Sequence, residues 1–139
     1  MAVKSFNSLS GIINYVEIAC NVAVKNVSDV MVSKLKDFIQ DDFYDLYYPR
    51  IYRRTYSLLR SPTANLIGNA EAEIFINTDA MEYFDITGEE VAKLAMQGFH
   101  GSEDIFRPGY YWEDFASWCK QNVIILLKQE LIRQGLNIR

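Results

Sequence analysis

The chain contains one histidine, His100, and two cysteines, Cys20 and Cys119, and these bound what nucleophilic or metal chemistry it can hold. A Ser/His or Cys/His pair would have to use His100, yet no G-x-S-x-G turn and no reactive-cysteine context accompanies it. A zinc site needs three or four His, Cys or acid ligands, and Cys20, His100 and Cys119 show no ligand spacing. The histidine reads as a loop residue bonding backbone in a Gly-rich turn. The cysteines, far apart in helical patterns, read as reduced core residues. Gly98-Phe99-His100-Gly101 lacks the Lys and Ser/Thr of a phosphate loop and fits no dinucleotide fingerprint. Asp41, Asp42 and Asp45 lack the alternating ligands, central Gly and closing Glu of a calcium loop, and read as a solvated helix end. Acids are plentiful, but nothing singles out a pair for acid–base work. The expectation is a chain without metal or cofactor that is not an enzyme.

One stretch carries a different chemistry. In DDFYDLYYPRIYRRTYSLLRS, Arg50, Arg53, Arg54 and Arg60 alternate with Tyr48, Tyr52 and Tyr56. Such a mixture suits stacking on bases and holding phosphates. Tyr and Arg are equally the residues enriched at protein interfaces. The overall balance favours the second use. Net charge is −4 and the pI is about 5.0. Residues 71–114 hold eleven acids against only Lys93 and Arg107, a local −9 that leaves +5 for the rest. A segregation of this kind disfavours a broad nucleic-acid face and suits head-to-tail contact between copies. The interface candidates are therefore Arg50, Tyr52, Arg53, Arg54 and Tyr56 on one side and Glu71 and Glu73 on the other. Two alternatives stand beside this one: a small nucleic-acid-binding or regulatory module using residues 44–60, and a small enzyme whose carboxylates carry no recognisable pattern.

The elements that would position these residues follow from periodicity. A chain of 139 residues, half of them hydrophobic and 23% charged, makes one folded domain spanning 1–139. The aromatic share of 14% is high and mildly favours an assembling protein. No apolar run approaches the roughly 18 residues needed to span a bilayer. The start has no continuous apolar stretch of a secretory signal, so a cytosolic compartment is expected. From Leu9 to Phe43 the apolar residues keep helical spacing, with Ser8 or Ser10 to cap the start; the β-branched run near Val22–Val27 leaves room for two helices. A helix this long overhangs a small core, so part of its stripe needs a partner. Pro49 interrupts helix, a short helix or turn can follow around Tyr52–Leu59, and Ser61-Pro62 marks a loop. Residues 64–67 and 71–77 alternate as two strands about a Gly68-Asn69 turn. Thr87-Gly88-Glu89-Glu90 is a capping box opening a short helix. A Gly-rich loop, 97–109, precedes a closing amphipathic helix with Trp112, Phe115, Trp118 and Leu126 as its buried anchors and Gly135 as its terminator. The fold class is α+β: a long N-terminal helix, a small antiparallel sheet, a short helix and a C-terminal amphipathic helix.

This order of pieces, with Pro49…Arg54-Thr55…Leu58…Ser61 ahead of a hairpin and His100-Gly101 before the last helix, resembles the tail-completion (head–tail joining, or neck) family of tailed bacteriophages. The likeness spans nearly the whole chain in architecture and about ten residues in motif. Where the family has a Thr-Gly pair, this chain reads Thr55-Tyr56. The resemblance implies a structural virion protein without catalysis, assembled in the host bacterial cytoplasm. It implies a ring of copies, a hexamer, at the neck or tail end. There it would meet tail-tube or tail-terminator proteins and head-connector proteins, while DNA passes through without specific binding and no membrane is involved.

Overall fold

The structure, a computed structural model, describes residues 4–48, 54–81, 86–98 and 109–137. Its elements, in chain order, are α1 (Leu9–Asp42), a 3₁₀ turn (Tyr44–Leu46), α2 (Ser57–Arg60), β1 (Pro62–Gly68), β2 (Glu71–Ile76), a second 3₁₀ turn (Thr78–Ala80), α3 (Gly88–Met96) and α4 (Tyr111–Arg133). The architecture is the α+β arrangement expected.

Helix α1 is a single helix of 34 residues, about 50 Å long at 1.5 Å per residue. Ser8 caps it by accepting from the Gly11 amide at 3.2 Å. The β-branched run does not break it. Ala19, Ala23 and Val27 are buried there at four-residue spacing, and packing against neighbours outweighs the few tenths of a kcal/mol each β-branched residue costs in propensity. Ser28, also buried, donates to the Val24 carbonyl at 2.6 Å and so leaves no hydroxyl unsatisfied.

α1 and α4 run antiparallel along one another, tied by Asn26 Nδ2 donating to Glu130 at 3.0 Å and by Tyr15 Oη donating to the Gln134 carbonyl. The hairpin lies along another flank of α1. Its register pairs Pro62 with Ile76 and Asn65 with Glu73, with an irregularity between Leu66 and Gly68. The Ser61-Pro62 stretch is thus not loop. Ser61 is buried and donates to the Leu58 carbonyl, its own carbonyl accepts from Asn77, and Pro62 opens β1, an end position where a missing N–H costs no ladder bond. The turn sits one residue later than its chemistry suggested, with Ala70 at φ 51° and its amide bound by Asn21 of α1.

The core gathers at one end of α1. Leu35, Ile39, Tyr44, Leu58, Met81, Ala95, Tyr111 and Phe115 are buried together, with Ile74, Ile76, Trp112 and Trp118 partly buried around them. The capping box is present in full: Thr87 accepts from the Glu90 amide and Glu90 accepts from the Thr87 amide. α4 ends as expected. Gly135 has φ +97°, the Leu136 amide bonds the Leu131 carbonyl and the Gly135 amide bonds that of Ile132, the paired pattern of a Schellman terminus.

The anchors of α4 differ from the expected set. Tyr111 is the deepest side chain, wholly buried, with Phe115 next; Trp112, Trp118 and Leu126 are only half-buried. Burial of α4 is deepest at its first two turns, where the core lies; farther along, its inner side lies against α1 and is half-buried.

Candidate subunit interface

The segment between the end of α1 and α2 holds most of the residues expected at an interface, and the structure sends them in different directions. Arg50, Tyr52 and Arg53, like the His100 loop, lie outside the described residues. Arg54 turns inward. Its Nη1 donates to the Tyr44 carbonyl at 2.7 Å, and its guanidinium lies 5.1 Å from the Tyr44 ring and 5.7 Å from that of Tyr48. It staples the strand leaving the 3₁₀ turn to the chain entering α2. Nη2 is shut off from solvent without a hydrogen-bond partner among the described residues. Tyr44 is itself buried, so in the described part of this segment the Arg–Tyr contacts are used internally rather than offered to bases or phosphates.

Tyr56 precedes α2 in the left-handed conformation, φ 57° and ψ 23°, with its ring 4.9 Å from that of Tyr44. A side chain other than glycine is strained there. Here the ring contact and the turn into α2 hold it.

At the start of α4 the chain is pressed against the end of α1. A side chain on Gly109 would overlap the Asp42 carbonyl and crowd Leu46. Next to this crossing, Asp42 lies beside Asp114. Burial, then the adjoining Asp114 carboxyl, then that of Asp41, push the Asp42 pKa from 3.8 up to about 7. The helix dipoles act in the same sense: Asp42 is at a negative C-terminal end and Asp114 at a positive N-terminal one. Among the described residues no group of three or more His, Cys, Asp or Glu is placed to hold a metal ion, and no helix is long and apolar enough to cross a membrane.

Away from the core several large aliphatic side chains are exposed. At the far end of α1, Leu9, Ile12, Ile13 and Val16 are exposed, Leu9 to 72%. On the outer side of α4, Ile124 is 73% exposed and Ile125 55%; near the hairpin tip Leu66 and Ile67 are exposed as well. Glu71 and Glu73, the acidic interface candidates, are exposed on β2 beside that tip. The exposed α4 residues escaped the sequence reading. For Ile124 the signal was present, since it stands on the opposite side of the helix from Phe115 and Leu126; Ile125 is in phase with Trp118, and nothing in the spacing marks it as exposed.

A long helix flanked by an antiparallel helix and a hairpin, with exposed aliphatic residues on α1, α4 and the hairpin, defines a small α+β protein. Residues 8–133 match the YomN family, and the chain belongs to that family. The family carries the name of a Bacillus phage-derived gene, which associates it with phage. No curated protein and no solved structure matches the chain significantly.

Proposed function

We propose that the chain is a structural virion subunit that closes into a ring at the head–tail junction of a tailed phage, as neck component or tail terminator. It would join the tail to the connector, with DNA passing through the ring, and would catalyse nothing. The observation that carries this reading is the bare apolar end of the α1–α4 pair. Leu9, Ile12, Ile13 and Val16 extend past the core and past the hairpin, and a stripe of that size on an overhanging helix is stable in water chiefly when another chain covers it. The phage association of the family supports it. So does Tyr56, which takes a left-handed conformation at the position where the tail-completion pattern has glycine. A turn kept at the cost of strain argues that the resemblance reaches the backbone and is not confined to a few matching letters.

Sedimentation mass and negative-stain imaging of the purified protein, alone and with tail-tube and connector proteins, test the reading. Closed rings of several copies are expected, alone or on addition of a partner. A single-chain mass under every condition would overturn it, and a monomer that retards nucleic acid would place the function in the Tyr/Arg segment instead.

A further inference from the structure

Two exposed strips, one on α4 and one on the hairpin, each combine aliphatic and charged residues and are opposite in charge. Along the outer side of α4, Lys120, Ile124 and Lys128 follow at four-residue spacing with Ile125 beside them, all exposed. From Ala116 to Gln129 this helix carries no acid. On the hairpin, Glu71 and Glu73 share one exposed face of β2, with Ile67 exposed at the irregularity beside Glu71, while Leu66, paired with Ala72, belongs to the other face; from Pro62 to Asn77 there is no base. Among the described residues none of these four charges is in an ion pair, whereas Lys25, Lys93 and Arg133 each pair with an acid of their own helix. Because α1 packs against both α4 and the hairpin, it holds the two strips apart within one chain.

We propose that the α4 strip of one copy seats on the hairpin strip of the next, the aliphatic residues meeting at the centre and Lys120 and Lys128 facing Glu71 and Glu73 at the rim. The occupant of each strip is a second copy of this chain. A ring requires two different, complementary patches on one subunit, and segregated charge both fixes the pairing and opposes like-to-like contact. Interfaces deplete charge at the centre and keep it at the rim, and on α4 Ile124 lies between Lys120 and Lys128 at four-residue spacing. This assignment rests on the ring reading above and takes α4 rather than the Arg50–Arg60 segment as the basic half, since Arg54 is spent inside the subunit and Arg50 and Arg53 lie outside the described residues.

The test uses full-length chains carrying Lys120→Glu with Lys128→Glu, or Glu71→Lys with Glu73→Lys, each checked for folding by circular dichroism and then sized by sedimentation. Each pair alone should drop the mass to that of one chain. A 1:1 mixture of the two should regain the assembled mass, because the reversed α4 of one now faces the reversed hairpin of the other. If both variants assemble as the wild type does, or if they dissociate and the mixture fails to reassemble, this contact is overturned while the ring reading stands. If the wild type is itself a single chain under all conditions, the ring reading falls and takes the contact with it.

Discussion

The ring of Tyr56 lies 4.9 Å from that of Tyr44, centre to centre, with the planes 35° apart, and Tyr56 reaches it only by holding a left-handed backbone. Two effects of similar size therefore oppose each other at this residue. The strain is worth about 1–2 kcal/mol, and the ring pair about 0.5–1.5 kcal/mol beyond its buried area. Tyr56→Ala keeps the strain and loses the ring, so it should destabilise by roughly 1–2 kcal/mol. Tyr56→Gly loses the ring but also the strain and should come out closer to the wild type. Urea unfolding of the two variants decides the matter: a glycine variant less stable than the alanine one would mean that the backbone at this position is not strained.

At the crossing of α1 and α4, protonation and folding are linked. An acid whose folded pKa is raised takes up a proton on folding, so its contribution makes stability fall as pH rises from about 4 to about 7 and stay level above. Asp42→Asn should remove that fall. The variant should match the wild type near pH 4 and exceed it at pH 8, with Asp114→Asn giving a smaller gain at pH 8 through the lost repulsion. Parallel urea midpoints for wild type and Asp42→Asn between pH 5 and pH 8 would show that Asp42 is an ordinary carboxylate.

The anchors of α4 rank by depth. Phe115→Ala opens a cavity in the buried cluster and should cost about 3–5 kcal/mol, a large part of the roughly 5–15 kcal/mol that holds an ordinary domain folded. Trp118 is half-buried, stacked on Phe115 at 6.5 Å and overlain by Lys34 at 5.7 Å, so Trp118→Ala should leave a folded protein of lower melting temperature. Thermal melts that rank the two variants the other way would relocate the core.

Much of this fold is visible in the letters alone, and the exceptions share a cause. The α1 stripe, the Thr87–Glu90 box and Gly135 announce themselves because each rests on local rules of spacing or φ. Tyr56 and Tyr110 adopt left-handed conformations that nothing in a tyrosine signals; the demand comes from chain segments that meet only after folding. Tyr111 escaped notice for a related reason. It stands one residue ahead of the stripe that starts at Trp112, and its full burial depends on α1 and α3, with its hydroxyl donating to the Ala92 carbonyl at 3.3 Å. For the candidate site, Glu71 and Glu73 were legible as an exposed acidic strand face, while the inward turn of Arg54 was not, because an arginine beside tyrosines reads alike whether it staples or binds.

Where the end of α4 meets the first turns of α1, Gly135→Ala should loosen the structure locally. Its φ of +97° resists a side chain, and a Cβ would crowd the Tyr15 hydroxyl that holds the Gln134 carbonyl. Amide exchange should speed up across residues 9–20 and 131–136 while the core around Leu35 and Phe115 keeps its protection. Uniform acceleration across the chain would mean that this end of the α1–α4 pair and the core open together.

The bond between Tyr15 and Gln134 joins residues 119 apart in sequence, and that between Asn26 and Glu130 residues 104 apart. During synthesis the first turns of α1 are thus made long before the helix that will lie against them, and for that interval both of their sides face water. Ribosomal output is vectorial, so neighbouring nascent chains on one message present this unmatched stripe to each other ahead of any finished subunit. The exposed aliphatic residues that would suit the proposed assembly make the growing chain the most vulnerable form of the protein. Slowing translation between codons 20 and 110 should accordingly lower soluble yield more than an equal pause placed after codon 134.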